Sequence, residues 1–257
     1  MPPPDTLVTR HEYSHVVGAA FAKGCSGRAI PVEQYDETQD VAFYGILRGT
    51  GDIARRRLES GDGFYYIDHG YIRPGHYSGH YRIIRSGLHA NLSAKPDYGR
   101  LLALKWSPEK RHDALRYSPA LLAPPSEYVS EFFGCSRTLW LESVKAKLAF
   151  VTDRPLVVSS KDEPGQPSLD QCWAVVTMQS NLAVEAIRKG VPVFCEHGNF
   201  PDIWHHPAEH FSDDIKNLDN PYRPSMIERC EWAARLAATQ FTLAEIASGY
   251  AWEYLNA

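Results

Sequence analysis

Three short stretches carry residue types that do chemistry, and each follows an apolar run. They are Pro124-Pro125-Ser126, Ser159-Ser160-Lys161 and Thr177-Met178-Gln179-Ser180-Asn181. If the runs are neighbouring parallel strands, their ends open onto one crevice, where α/β sheets bind ligands. Ser126, Lys161, Gln179, Ser180 and Asn181 then line that crevice. Hydroxyls, an ammonium group and the N–H groups of a helix starting near Asn181 suit a diphosphate. Glu185 lies one turn further, where a carboxylate can accept hydrogen bonds from ribose hydroxyls. The plain alternative for Glu185 is an exposed helix residue.

The element that must position this set is residues 172–196, CWAVVTMQSNLAVEAIRKGVPVFCE. It reads as strand, turn, helix, strand. Trp173 to Met178 is apolar and β-branched. Leu182, Ala183, Ala186 and Ile187 share a helical face, and Lys189-Gly190 closes the helix because glycine takes the left-handed conformation freely. Pro119–Pro124 and Leu156–Ser159 read as companion strands, with a helix over Ser136–Phe150 between them. Upstream, the pattern gives a helix from Glu12 to Lys23 ended by Gly24, and a short strand Ala29–Val32. A strand Val41–Leu47, a helix to about Ser60 and a strand Phe64–Asp68 follow. Residues 1–10 read as loose, and His69–Trp106 as a long binding loop holding the strand Tyr81–Arg85. Helices over Ser225–Gln240 and from Thr242 to about Leu255 end the chain, the second opened by a Thr242/Glu245 capping box. The expected fold class is α/β with two Rossmann-like lobes, 1–117 and 118–224. Residues 225–257 are helices able to pack back across the lobes.

Charge is unevenly spread. The net charge is −4, yet residues 71–116 hold nine Lys/Arg against three Asp/Glu, interleaved with Tyr71, Tyr77, Tyr81, Tyr98 and Trp106. Cations with stacking rings suit a polyanion, and the plain alternative is a solvated Arg-rich loop. The residues that would touch it are Arg48, Arg73, Tyr77, Arg82 and Arg85. Arg82 and Arg85 are three apart, so in a strand only one of them can face a given side.

Other classes are excluded. No 18-residue apolar run exists, and the N-terminus lacks an apolar signal core, so a cytoplasmic protein without a membrane partner is expected. The five cysteines show no CxxC spacing and read as reduced apolar residues. Arg48 and Gly49–Asp52 form a Gly-rich turn that fits neither nucleotide-loop fingerprint, and no GxSxG elbow occurs. His11/His15, His76/His80 and His206/His210 are i, i+4 pairs without the Glu of HExxH. A zinc site among His197, His205, His206 and His210 stays the weaker reading, and no metal is expected. No DxD occurs, so helix dipole and Lys/Arg charge would have to stabilise a leaving diphosphate.

The pattern strand–Ser-Asn–Ala–x-Glu-Ala–Gly-Val-Pro-Val over about 119–196 resembles the nucleotide-sugar lobe of GT-B glycosyltransferases. It is nearest to the capsule-polysaccharide type. GILRGTGD, YYIDHGY and GHYRIIRSGLH in the first lobe resemble bacteriophage-encoded glycosyltransferases, some of which modify hydroxymethylated DNA bases. The resemblance implies a UDP- or similar nucleotide-sugar as co-substrate, no other cofactor, and DNA as acceptor in the host cytoplasm. It places Ser180 and Asn181 at the phosphates, Glu185 at the ribose and Lys161 at a phosphate contact. Sugar transfer also needs a base for the acceptor hydroxyl. Asp68, ending a first-lobe strand, is the candidate, with His69 the runner-up because imidazole titrates near neutrality. A loop-capping carboxylate is the alternative for Asp68, and helix capping is the better reading of Asp52. A polysaccharide acceptor, and a nucleotide-binding protein without turnover, are the rival functions.

Overall fold

The computed structural model describes residues 2–37, 39–75, 77–110, 117–159, 167–197 and 206–257. In chain order the elements are β1 (Asp5–Val8), α1 (Glu12–Cys25), β2 (Ala29–Pro31), β3 (Val41–Tyr44), α2 (Thr50–Ser60), β4 (Phe64–His69), β5 (His80–Arg85) and α3 (Tyr98–Leu104). Then come β6 (Ala120–Ala123), α4 (Glu127–Phe132), α5 (Arg137–Leu148), β7 (Leu156–Val158), β8 (Ala174–Thr177), α6 (Asn181–Lys189) and β9 (Val193–Cys195). The chain ends with α7 (Met226–Ala237), β10 (Gln240–Thr242), α8 (Leu243–Ala247) and α9 (Tyr250–Asn256). They form two units, Met1–Ala90 with Leu236–Ala257, and Asn91–Arg235.

The first unit has a sheet in the order β10-β5-β4-β3-β1-β2. β2, β1, β3 and β4 run parallel, while β5 and β10 add antiparallel at one edge. The chain leaves β1 for β2 on one side and returns to β3 on the other, so the topological switch point lies between β1 and β3.

Three sequence expectations fail in this unit. Residues 5–8 are a central strand, fully buried, rather than a loose start. Its opening Asp5 is tolerated because Arg28 grips the carboxylate with Nε and Nη2 at 3.0 and 2.8 Å. Gly24 does not end α1, which runs to Cys25 and stops at Ser26, φ +59°. Gly24 is there for closeness: a Cβ would lie 2.0 Å from the Ile246 carbonyl oxygen of α8. The C-terminal run also breaks differently. Gln240–Thr242 is a strand on β5, and Gly249, φ +90°, separates α8 from α9. The expected Thr242/Glu245 capping box is present. Phe21, Tyr65, Tyr81, Ile83, Phe241 and Ile246 fill the core between sheet and helices.

The second unit has an all-parallel sheet, β7-β6-β8-β9. β6 and β8 are buried along their whole length, as strands covered on both faces must be. Its switch point lies between β6 and β8. Here the sequence reading is close. Ser180 caps α6, and Gly190 ends it at φ +77°. Trp140, Val144 and Leu148 of α5 pack on Ala120, Leu122, Val176 and Phe194. α3 was read as part of the long loop. It and Trp106 belong to this unit, where Trp106 packs against Trp232 with ring centroids 6.3 Å apart.

Candidate functional site

In the second unit the switch point is closed by one side chain. Thr177, completely buried at the end of β8, donates its hydroxyl to the Ala123 carbonyl at the end of β6, 2.7 Å away. The same oxygen accepts the Ser180 N–H at 3.1 Å. Ser180 Oγ then accepts the Leu182 N–H at 3.2 Å, fixing the first turn of α6. Gln179, Ser180 and Asn181 are each half-exposed at this carboxyl edge. Ser126 follows β6 on the same edge and caps α4 through Val129 N–H. Lys161 lies outside the described residues. Glu185 is occupied: Arg188 Nε reaches both carboxylate oxygens at 2.9 Å, and Arg188 also pairs with Glu109.

The end of β9 went unread in the sequence although it has the same strand-then-polar signature. Glu196 pairs with Lys147 of α5 at 2.6 Å, and its carbonyl accepts the Trp140 indole N–H at 2.7 Å. His197 follows, with Nε2 3.1 Å from Glu209. These bonds tie the loop after β9 to the α5 side of the unit.

In the first unit, Asp68 and His69 end β4. Asp68 accepts hydrogen bonds from the Tyr66 hydroxyl at 2.9 Å, the His69 N–H at 2.8 Å and Arg82 Nη2 at 2.6 Å. Arg82 Nη1 donates to the His69 carbonyl at 2.9 Å. Asp68 and Arg82 thus clamp the His69 backbone from both sides. The imidazole is clamped as well. Nε2 meets the Tyr44 hydroxyl at 3.0 Å, the ring stacks on Tyr81 at 6.1 Å and 17°, and Nδ1 is buried. Burial, helped by Asp68, pushes the Tyr44 hydroxyl above the usual phenol range, so it remains a neutral donor and acceptor. Asp52 is an exposed residue in the first turn of α2, paired to Arg55 at 3.3 Å, and it does not cap the helix, whose N-cap is Gly49.

The expected polyanion stripe is dispersed. Arg82 is 6% exposed, facing the Tyr66 and Tyr71 rings at 5.5 and 5.0 Å, while Arg85 is exposed, as the strand alternation requires. Tyr71, Tyr81 and Trp106 are core residues. Arg48, Arg73 and Tyr77 are exposed on positive-φ backbone at 62, 44 and 59°. Apolar burial therefore claims three of the five rings, Tyr71, Tyr81 and Trp106, while Tyr77 and Tyr98 stay exposed.

Among the described residues no group of three His, Cys, Asp or Glu side chains could hold a metal ion. His206 is buried, with Nδ1 accepting the Ala208 N–H at 3.2 Å, and His205 lies outside the described residues. No helix among the described residues is long and apolar enough to cross a membrane.

No family model matches the chain, and no curated protein sequence matches it. Two solved structures from Thermosulfurimonas dismutans are similar to it. KpsC, beta Kdo 2,4 transferase, superposes with a TM-score of 0.44 and 11% identity, over 91% of this chain and 90% of that one. KpsC, beta Kdo 2,7 transferase, superposes with a TM-score of 0.51 and 14% identity, over 96% of this chain and 98% of that one. The second likeness shows the fold alone: a mixed α/β, Rossmann-like architecture with one mixed and one all-parallel sheet flanked by helices.

Proposed function

We propose that this chain is a glycosyltransferase that moves a sugar from a nucleotide-linked donor to a hydroxyl of a polysaccharide. The observation that carries the reading is the different equipment of the carboxyl edges of its two sheets. One presents a capped helix N-terminus with half-exposed hydroxyl and amide groups, suited to a diphosphate. The other presents, at the end of β4 and beside β3, an imidazole restrained at its backbone and its ring. The fold shared with a beta Kdo 2,7 transferase over 96% of the chain supports it and adds Kdo to the sugars to be tried. Ser180, Asn181, Gln179, Ser126 and Lys161 take the phosphates. Glu185 reaches the ribose only by sharing an oxygen with Arg188.

In this reading His69 is the base and Asp68 is a positioning residue, since its carboxylate is spent on Tyr66, Arg82 and the His69 amide. With Nδ1 buried, the proton route is Nε2 through Tyr44. The acceptor hydroxyl gives its proton to the Tyr44 oxygen as Tyr44 passes its own to His69. The acceptor oxygen bonds to the anomeric carbon while the bond to the leaving phosphate breaks. Tyr44 stays neutral throughout, and the imidazole ends protonated.

A carbohydrate acceptor is preferred to DNA because Arg82, Tyr71, Tyr81 and Trp106 are interior residues. The test is incubation with UDP-glucose, UDP-N-acetylglucosamine, GDP-mannose and nucleotide-activated Kdo. Capsular oligosaccharides and DNA bearing 5-hydroxymethyl pyrimidines serve as acceptors, and products are read by mass spectrometry. A mass gain on an oligosaccharide is expected. A gain on DNA alone would restore the nucleic-acid acceptor, and tight nucleotide binding without any transfer would leave a nucleotide-binding protein.

A further inference from the structure

The carboxyl edge of the first sheet holds a second group of side chains that the proton route does not use. After β1 the chain turns through Thr9 and Arg10 into α1, and the helix N-cap is His11. Histidine is a poor choice where Ser, Thr, Asp or Asn would cap, and its side chain makes no cap bond. Its ring instead meets Tyr13 with centroids 5.3 Å apart. Tyr13 in turn meets Tyr77 at 5.3 Å, and the Tyr77 hydroxyl donates to the Glu12 carboxylate. Tyr77 is 47% exposed, Tyr13 and His11 are half-exposed, and Glu12 is exposed.

Tyr77 is held at the end of a tightly closed loop. Gly70 N–H bonds the His80 carbonyl at 2.8 Å, His80 N–H bonds Arg73, and Gly75 touches Gly79 so closely that a Cβ on Gly79 would lie 2.2 Å from Gly75 N. Arg73 and Tyr77 both take positive φ, a conformation non-glycine residues adopt where surrounding structure enforces it, often at ligand sites. Tyr77 N–H reaches the Tyr81 hydroxyl, and Tyr81 stacks on His69. The ring group is therefore joined to the residue proposed as base, on the sheet edge where the β1/β3 switch point lies.

We propose that His11, Tyr13 and Tyr77 form a sugar-stacking subsite, with Glu12 at its rim, for a pyranose ring of the acceptor glycan. A pyranose has an apolar C–H face and a polar hydroxyl edge. Tyrosine rings match the face and keep a wet polar end, and a carboxylate accepts from the hydroxyls. Glu12 disfavours a phosphate backbone at the same place, so Tyr77 serves a carbohydrate rather than a stacked base. The assignment of this pyranose to an acceptor rests on the transferase reading; the binding itself does not.

The test is saturation-transfer NMR on the full chain with the methyl pyranosides of glucose, galactose, N-acetylglucosamine and Kdo, each run with and without duplex DNA as competitor. Transfer to ring C–H protons of at least one is expected. It should fall about fivefold in Tyr13→Ala and Tyr77→Ala, the loss of one stacking contact. Tyr77→Phe, which keeps the ring, should retain most of it. Phe150→Ala, at a 93% exposed position of the other unit, should leave it unchanged. Absence of transfer from all four sugars, equal signals in wild type and both alanine variants, or displacement by DNA would each overturn the subsite. If no donor supports turnover while binding still maps to Tyr13 and Tyr77, the transferase reading fails and the carbohydrate site stands. If turnover is seen but acceptor KM is unmoved in both alanine variants, the subsite fails and the transferase stands.

Discussion

Asp68 of β4 and Arg82 of β5 stand directly opposite in the antiparallel ladder, and their side chains close an ion pair of 2.6 Å. The guanidinium is 7% exposed and the carboxylate 25%. Burial alone would lower the Arg82 pKa, but Asp68 and the Tyr71 and Tyr66 hydroxyls outweigh it and the net shift is upward. Each partner also bonds the His69 backbone, one at its N–H and the other at its carbonyl. The pair is thus a brace for the next residue along the strand.

Arg82→Met should cost about 3 kcal/mol, the usual loss when one partner of a buried pair is removed and the other keeps its charge. Adding Asp68→Asn should recover part of that loss, because the amide oxygen can still accept the His69 N–H without a net charge. Urea unfolding of the two single variants and the double variant measures it. A double variant less stable than Arg82→Met would show that the pair is not the brace described.

The same geometry separates two candidate bases. Asp68→Asn should lower turnover by less than about tenfold, whereas His69→Gln should lower it by about 10²–10⁴-fold, the range for loss of general base catalysis. Tyr44→Phe should lower turnover about as much as His69→Gln, since it removes the hydroxyl that relays the proton to Nε2. Steady-state kinetics on the active donor and acceptor pair decide the order. A larger loss in Asp68→Asn than in His69→Gln would return the base role to Asp68.

Much of the second unit was legible because its local signals agree. β8 and α6 have β-branched residues, a Ser cap, an apolar helical face and a closing glycine in the right sequence. β1 was hidden because four residues behind a Pro-rich start, half of them polar, carry no period; only the distant Arg28 and Asp40 make Asp-Thr-Leu-Val a strand. β10 was hidden because Gln240-Phe241-Thr242 continues a helical pattern, and only its pairing with β5 overrides it. At the site, Ser180 was legible because a helix cap is a local feature. The bonding of Asp68 was not, because its partner Arg82 lies fourteen residues away. In the basic window composition cannot tell that Arg82, Tyr71 and Trp106 turn inward while Arg48, Arg73, Tyr77 and Arg85 stay exposed.

Alkaline pH should unfold the protein through its buried phenols. Burial, with further help from Asp68, pushes the Tyr71 hydroxyl up to about 12, and burial moves Tyr66 and Tyr44 upward as well. These groups hold their protons in the folded state after the unfolded chain has released them. Their contribution is therefore complete below pH 10 and is lost as pH rises through the folded values. For Tyr71 alone the loss is about 2 kcal/mol by pH 12. Urea midpoints from pH 9 to 11.5, with phenolate absorbance followed in parallel, should show stability and late ionisation falling together. Tyr71→Phe should flatten the slope, and an unchanged slope would remove Tyr71 from the account.

Thr177 provides the last test, because one hydroxyl does two jobs at the second switch point. It donates to Ala123 O and accepts from Ser180 N–H, joining the ends of β6 and β8 to the start of α6. Thr177→Val keeps the side-chain shape and leaves a buried carbonyl and an amide without this partner, at a cost of about 2 kcal/mol. Thr177→Ser keeps both bonds and loses one buried methyl, about 1 kcal/mol. Stability alone does not distinguish a structural tie from a positioned phosphate site, but the contrast in nucleotide binding does. If the tie sets the position of the start of α6, Thr177→Val should weaken nucleotide-diphosphate binding about tenfold, equivalent to 1.4 kcal/mol, while Thr177→Ser stays near wild type. Calorimetric titration of folded protein with UDP, GDP and ADP reads this directly. Equal affinities in all three proteins would confine Thr177 to holding the sheet together.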